Sequence, residues 1–179
     1  MSEAKGEYCP EKTLADFGLV AHRLDRETSG VVILAKTPEV QDFLKKQFNA
    51  RTTKKTYFAI VQGEPKLAEA RIDLPLKRDL KRPTTFRVDP NGKEAETFSK
   101  VLKSDGNYSL VELHPTTGRT HQLRVHMKYI GHPILGDIVY GDEKAKRLYL
   151  HANKLEITLP SGERKIFEAK LPEEFLDVF

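Results

Sequence analysis

Residues 22–30 read His-Arg-Leu-Asp-Arg-Glu-Thr-Ser-Gly, a run of ionisable side chains closed by two hydroxyls and a glycine. Two readings stand for it. In one, it is a charged surface turn, with Asp25 solvated between Arg23 and Arg26 and Thr28-Ser29-Gly30 making the bend. In the other, Leu24 anchors the loop and Asp25 points into a cleft and is kept ionised by a buried cation. A second run, residues 116–126, passes from a strand through Gly118 into a helix. Hydroxyls and a glycine ahead of a helix leave backbone N–H groups free, and with Arg119 alongside they suit a phosphate as well as an ordinary helix start. Arg124 follows the core-type residue Leu123, so its guanidinium is expected at the core edge, where it needs a carboxylate partner.

Other chemistries fit less well. Five of the six histidines fall between His114 and His151, but His121 and His126 are five apart, about 140° around a helix, and cannot grip one metal together. Helix capping, RNA contact or core hydrogen bonding is the better reading for them, and no metal is expected. Cys9 stands alone in a polar segment, which excludes a disulfide framework and a cysteine zinc site. Neither a Ser/His triad pattern, a P-loop nor a dinucleotide glycine pattern is present, so no cofactor is expected.

The elements that must position these residues follow from pattern. With 179 residues, 39% hydrophobic and 31% charged, the chain suits one globular domain. It has no apolar stretch of roughly 20 residues and no hydrophobic core at the N-terminus, so a cytoplasmic protein without membrane contact, and a monomer, is expected. The net charge of +4 is unevenly spread. Residues 43–56 hold no acid but carry Lys45, Lys46, Arg51, Lys54 and Lys55, and a second basic run holds Lys77, Arg78, Lys81 and Arg82. Both suit phosphate contact, and both also suit a solvated face.

Strands are predicted over 31–35, 55–62, 70–76, 85–88, 94–102 and 108–114, with a closing hairpin over 155–159 and 165–169. One helix opens on Thr37 and Pro38 with an apolar stripe of Val40, Phe43, Leu44 and Phe48; a second spans 120–130, with Leu123, Met127 and Ile130 inward and Gly131 ending it. The expected fold is α+β: a mixed, mainly antiparallel sheet with flanking helices and a central cleft.

Taken together, HRLDRETSG, KTYFAIVQG and GRTHQLRVHMKYIGHPILGD resemble the signature stretches of RluA-type pseudouridine synthases, and the likeness runs from about Leu19 to Leu159. The resemblance implies isomerisation of uridine in ribosomal or transfer RNA, without metal or cofactor. Asp25 matches the family's essential aspartate, Arg124 its ion-pair partner and Tyr57 the aromatic that stacks on the base. Arg23 matches a residue that displaces the base, and Leu123 an apolar wall. Thr28, Ser29, Arg119, His121, Gln122, Lys54 and Lys55 complete the expected RNA-binding set. Relatives carry a strand and loop resembling VVNKPAG before the aspartate motif. Here a short polar segment, 1–18, precedes an expected catalytic domain over 19–179, which could also have survived as an RNA-binding domain without activity. No S4-type domain is recognised, so RNA targeting is expected to rest on the domain's own basic surface.

Overall fold

The computed structural model describes residues 14–179, so Cys9 lies outside the described residues. A single 3-10 turn, Leu14–Asp16, leads into β1 (Leu19–Val20), β2 (Ser29–Gly30) and β3 (Leu34–Ala35). Helix α1 (Pro38–Asn49) is followed by β4 (Lys54–Gln62), β5 (Glu69–Asp73), β6 (Leu76–Arg78), β7 (Phe86–Val88), β8 (Glu96–Ser104) and β9 (Tyr108–Pro115). Helix α2 (Gln122–Tyr129), β10 (Leu150–Thr158) and β11 (Arg164–Glu168) complete the order before a last 3-10 turn at Glu173–Phe175.

The main sheet runs β11-β10-β4-β9-β8-β5, all antiparallel neighbours, and β2 joins β10 in parallel. The mixed, mainly antiparallel α+β architecture is therefore the one read from the sequence. Strand β4 sits centrally, where its β-branched and aromatic residues pack on both faces. Ala59, Ile60 and Val61 are fully buried with Val111, Leu113, Met127 and Ile134 in the largest core cluster. A second cluster, Ala35, Leu44, Leu155 and Ile157, lies under α1. That helix starts as predicted, with Thr37 accepting a hydrogen bond from the Val40 N–H and Pro38 in the first turn. Phe43, expected in its apolar stripe, is instead 37% exposed.

Several boundaries differ from the pattern reading for physical reasons. The strand predicted over 31–35 shrinks to Leu34–Ala35, because residues 31–33 carry the chain from its pairing with β10 across to β1. The strand predicted over 70–76 breaks before Pro75, which has no N–H for a ladder; Leu76 then pairs with Val88 in the separate β6–β7 ribbon. Strand β10 begins at Leu150, well before the predicted 155, since His151 and Asn153 are polar yet buried. Helix α2 is shorter than expected because His121 takes a left-handed φ of 55° and cannot be a helical residue. Gly131, φ 90°, follows its end as anticipated.

Gly30 holds the loop of residues 22–30 against β10. Its φ is 121°, and a Cβ there would lie 2.1 Å from the Ala152 carbonyl oxygen. Next to it, the Val31 N–H donates to that same oxygen at 2.9 Å. Gly30→Ala is expected to remove about 2 kcal/mol or more of stability, because neither strain nor clash can relax without unpairing β2. Urea unfolding measures this, and an unchanged midpoint would show that β2 is not held by close packing.

Candidate active site

Loop 21–28, β4, the turn 115–121 and the start of α2 meet over the middle of the sheet. Asp25, Thr28, Tyr57, Leu123 and Leu150 line the cleft there, and Arg23, Lys55, Arg119 and His121 stand around it. Alternation along β4 selects its members: Lys55 and Tyr57 face the cleft, whereas Lys54 points to the other side, 76% exposed and 3.6 Å from Glu156. Lys54 is thus not brought to the cleft.

Arg124 is the most constrained group. Its side chain is 3% exposed, and its fork faces three acids. Nε and Nη2 donate to the two carboxylate oxygens of Asp137 at 2.7 and 2.8 Å. Nη1 lies 3.5 Å from Asp25 Oδ2 and 3.9 Å from Glu27. The expected pairing with Asp25 is therefore present as a charge contact, but the hydrogen-bonded partner is Asp137. Burial pushes the Asp137 carboxyl upward; the Arg124 hydrogen bonds and charge outweigh that and hold it below the usual carboxylate range. Asp137 Oδ1 also accepts the Val139 and Tyr140 N–H groups, and the guanidinium lies 5.2 Å over the Tyr140 ring.

Pattern reading passed over Asp137 and Tyr140. Only one signal pointed to them: a buried arginine needs a carboxylate in bidentate reach, and Asp137 is the single acid in the apolar stretch after α2.

Tyr140 links the cleft to the β6–β7 ribbon. Its oxygen accepts the Phe86 N–H at 2.9 Å and lies within hydrogen-bond distance, 2.7 Å, of His121 Nδ1. Burial lowers the His121 pKa, with the Arg124 charge acting in the same direction and Asp25 opposing. Tyr57 is pushed up to about 12, first by burial and then by the Asp25 charge, so its phenol stays neutral.

Three polar chains hold these groups in place. Gln122 is buried: its Oε1 accepts from Thr117 Oγ1 and the Arg119 N–H, while its Nε2 donates to the Glu96 carbonyl and to Thr97 Oγ1. Thr97 in turn meets His126 Nδ1, and His126 Nε2 reaches the Leu74 carbonyl. Ser29 is turned away from the cleft, held by Arg147 and by His151 Nδ1 at 2.8 Å. His22 accepts the Ile33 N–H and stacks on Phe48 at 4.5 Å. The remaining histidines are separately engaged, His114 with Glu112 and His132 with the Gln62 carbonyl; no group of three metal-binding side chains forms among the described residues. No helix among the described residues is long and apolar enough to cross a membrane.

The family described as RNA pseudouridylate synthase matches residues 8–129 of this chain. The chain is 44% identical over 162 residues to "Ribosomal large subunit pseudouridine synthase D" of Borreliella burgdorferi, covering 88% of this chain and 50% of that protein. It is 45% identical over 160 residues to "Dual-specificity RNA pseudouridine synthase RluA" of Vibrio parahaemolyticus, covering 83% and 64%. Among solved structures, human RNA pseudouridylate synthase domain containing 1 superposes with a TM-score of 0.79 at 29% identity, covering 85% of this chain and 68% of that one. For domain containing 4 the values are 0.74, 31%, 88% and 73%. The chain spans about half the length of several curated relatives it matches.

Two measurements test this electrostatic reading. Asp137→Asn is expected to cost about 3 kcal/mol, because it leaves Arg124 buried without its hydrogen-bonded anion. The native carboxyl is depressed, so its contribution is full above about pH 4 and is lost as pH falls below that; the variant should show a weaker acid limb in urea unfolding. His22 acts in the same direction but at higher pH, since burial first and Lys55 second lower it to about 4. The unfolded chain binds that proton from about pH 6.5 downward, so stability falls as pH drops from about 6.5 to 4. His22→Gln should flatten this slope, and an unaltered profile would mean the imidazole is not held neutral.

Proposed function

Because the chain belongs to the RNA pseudouridylate synthase family, in its RluA-type branch, we propose that it isomerises selected uridines in structured RNA to pseudouridine, with Asp25 as the catalytic carboxylate. The observation that carries this is the position of Asp25. It sits at the cleft, 18% exposed, facing a guanidinium nitrogen that Asp137 holds from behind. A carboxylate so placed is near a fixed positive charge yet not hydrogen-bonded to it, and stays open to a ligand.

The reaction breaks C1′–N1, turns the uracil and joins C1′ to C5, with the C5 hydrogen leaving as a proton; nothing is oxidised or reduced. In this reading the uridine leaves its stack and enters the cleft, where the neutral Tyr57 ring covers one face of the base and Leu123 walls the other side. Asp25 assists glycosidic cleavage at the sugar. Arg23, exposed at the rim, takes the place of the extruded base, and Arg119, His121, Thr28 and Lys55 contact the nucleotide around the mouth. Gln122 and Ser29, whose polar atoms are held within the protein, serve as positioning residues. Lys54 meets RNA only from the outer face, through its charge.

Residues 19–179 constitute the catalytic unit in this proposal. Ribosomal RNA is the first substrate to try, since one relative carries the large ribosomal subunit in its name; transfer RNA is the second, for the relative named as dual-specificity.

Asp25→Asn keeps the shape of the site and removes its charge. Tritium release from RNA labelled at uridine C5 is expected to fall by about a thousandfold or more, with RNA affinity changed by less than about twofold. Release at the wild-type rate in that variant would refute Asp25. RNA binding by the wild type with no release from ribosomal or transfer RNA would favour the inactive binding domain instead.

A further inference from the structure

Beyond Tyr57 the cleft opens into a second recess, and the two share Arg23, Lys55, Tyr57 and Gly118 among their walls. Its charge is one-sided. Arg23, Arg51, Lys55 and Arg119 line it, and none of the described residues lining it is an acid. The other titratable lining groups, His22 and Tyr57, are both held neutral by burial. Glu94 pairs with Arg51 at 3.1 Å from outside, but both side chains are largely exposed, so this pair offsets little of the charge.

Lys55 is the telling residue. It stands on the central strand, half-buried, and its ammonium donates to the Thr117 carbonyl at 2.8 Å with no carboxylate within ion-pair distance among the described residues. Burial and then the Arg51 charge pull its pKa down to about 8. A cation held this way is destabilised in the free protein, and an arriving anion relieves it. Gly118 adds room: a Cβ there would lie 3.8 Å from the Lys55 nitrogen, so a ligand approaches the bare peptide beside the ammonium. Arg51 also keeps a left-handed φ of 58°, where glycine or asparagine is the cheaper choice at a helix end.

We propose that this recess binds one backbone phosphate flanking the extruded uridine, gripped by Lys55 with Arg51 and Arg119 beside it. The inference rests on the proposed function, because it takes the base to be in the adjoining cleft. It adds a fixed point on the strand, so that phosphate and base together set the sugar over Asp25.

Backbone amide shifts of the whole chain, titrated with uridine, uridine 3′-monophosphate, uridine 5′-monophosphate and inorganic phosphate, test this. One of the two nucleotides should bind about fivefold or more tighter than uridine and shift Gly118. Lys55→Gln should erase that gain while leaving uridine affinity within about twofold. Arg51→Gln, at an exposed position where little stability is at stake, should reduce the gain and keeps the test open if the lysine variant misfolds. A gain undiminished in the variants that fold, or no gain in the wild type, would overturn the subsite. Inorganic phosphate binding as tightly as the nucleotide, an adventitious ion only, would overturn it too. Tritium release by the wild type is measured in parallel: release without any phosphate gain refutes the subsite alone, and a phosphate gain without release refutes only the proposed reaction.

Discussion

A guanidinium that is almost wholly withdrawn from water dictates the rest of this site. Burying Arg124 costs several kcal/mol unless its donors are met, and the planar fork admits few arrangements that meet them. Asp137 takes two donors, the Tyr140 ring covers a face, and one nitrogen is left toward Asp25. Since Asp137 is itself fixed by two backbone N–H groups, the direction of that last nitrogen is not adjustable. A lysine could supply the charge but not the direction. Asp25 consequently faces a positive charge whose place is set from behind, and it keeps its own oxygens for whatever enters the cleft.

That arrangement holds only if helix α2 is held at one depth over the sheet. The helix has no side-chain cap at His121, so its start is secured laterally through Gln122, Thr97 and His126 to the Glu96 and Leu74 carbonyls. On the opposite wall, Gly30 brings loop 22–30 against β10, and Arg147 and His151 lock Ser29 behind it. Both attachments end on strands of the same sheet, β8 and β10, with β4 and β9 between them. The distance between Asp25 and Arg124 is thus set by sheet geometry, which is the stiffest part of the molecule, and not by the loops that carry the two residues.

How far this was readable from residues alone depended on the kind of signal. Strands β4, β8 and β9 and helix α1 declared themselves through periodicity and capping residues, because burial there follows the side-chain pattern directly. Lys54 and Lys55 looked equivalent as neighbours in a basic run, yet strand alternation sends one to the cleft and the other to solvent. Gln122 and Ser29 carried the right chemistry for RNA contact but are engaged inside the protein, a fact that depends on Thr97, Arg147 and His151, all distant in sequence. Asp137 escaped for the same reason. A buried ion pair is a statement about two positions, and periodicity describes only one at a time.

The charge layout gives these pieces a common logic. At the floor, one arginine faces two sheltered acids, Asp25 and Asp137, with the exposed Glu27 at 3.9 Å adding to them, so the interior is net negative. At the mouth, Arg23, Arg51, Lys55 and Arg119 are positive, with Glu94 and Glu96 acting on Arg51 from outside. A polyanion is attracted to the mouth and repelled from the floor, and the two effects sort the parts of a nucleotide: phosphates stay outside, and the neutral base goes in. Had the floor been positive, a phosphate would compete with the base for the carboxylate's neighbourhood. The excess of acids around Arg124, an apparent extravagance in a buried site, is what keeps the strand's own charge away from Asp25.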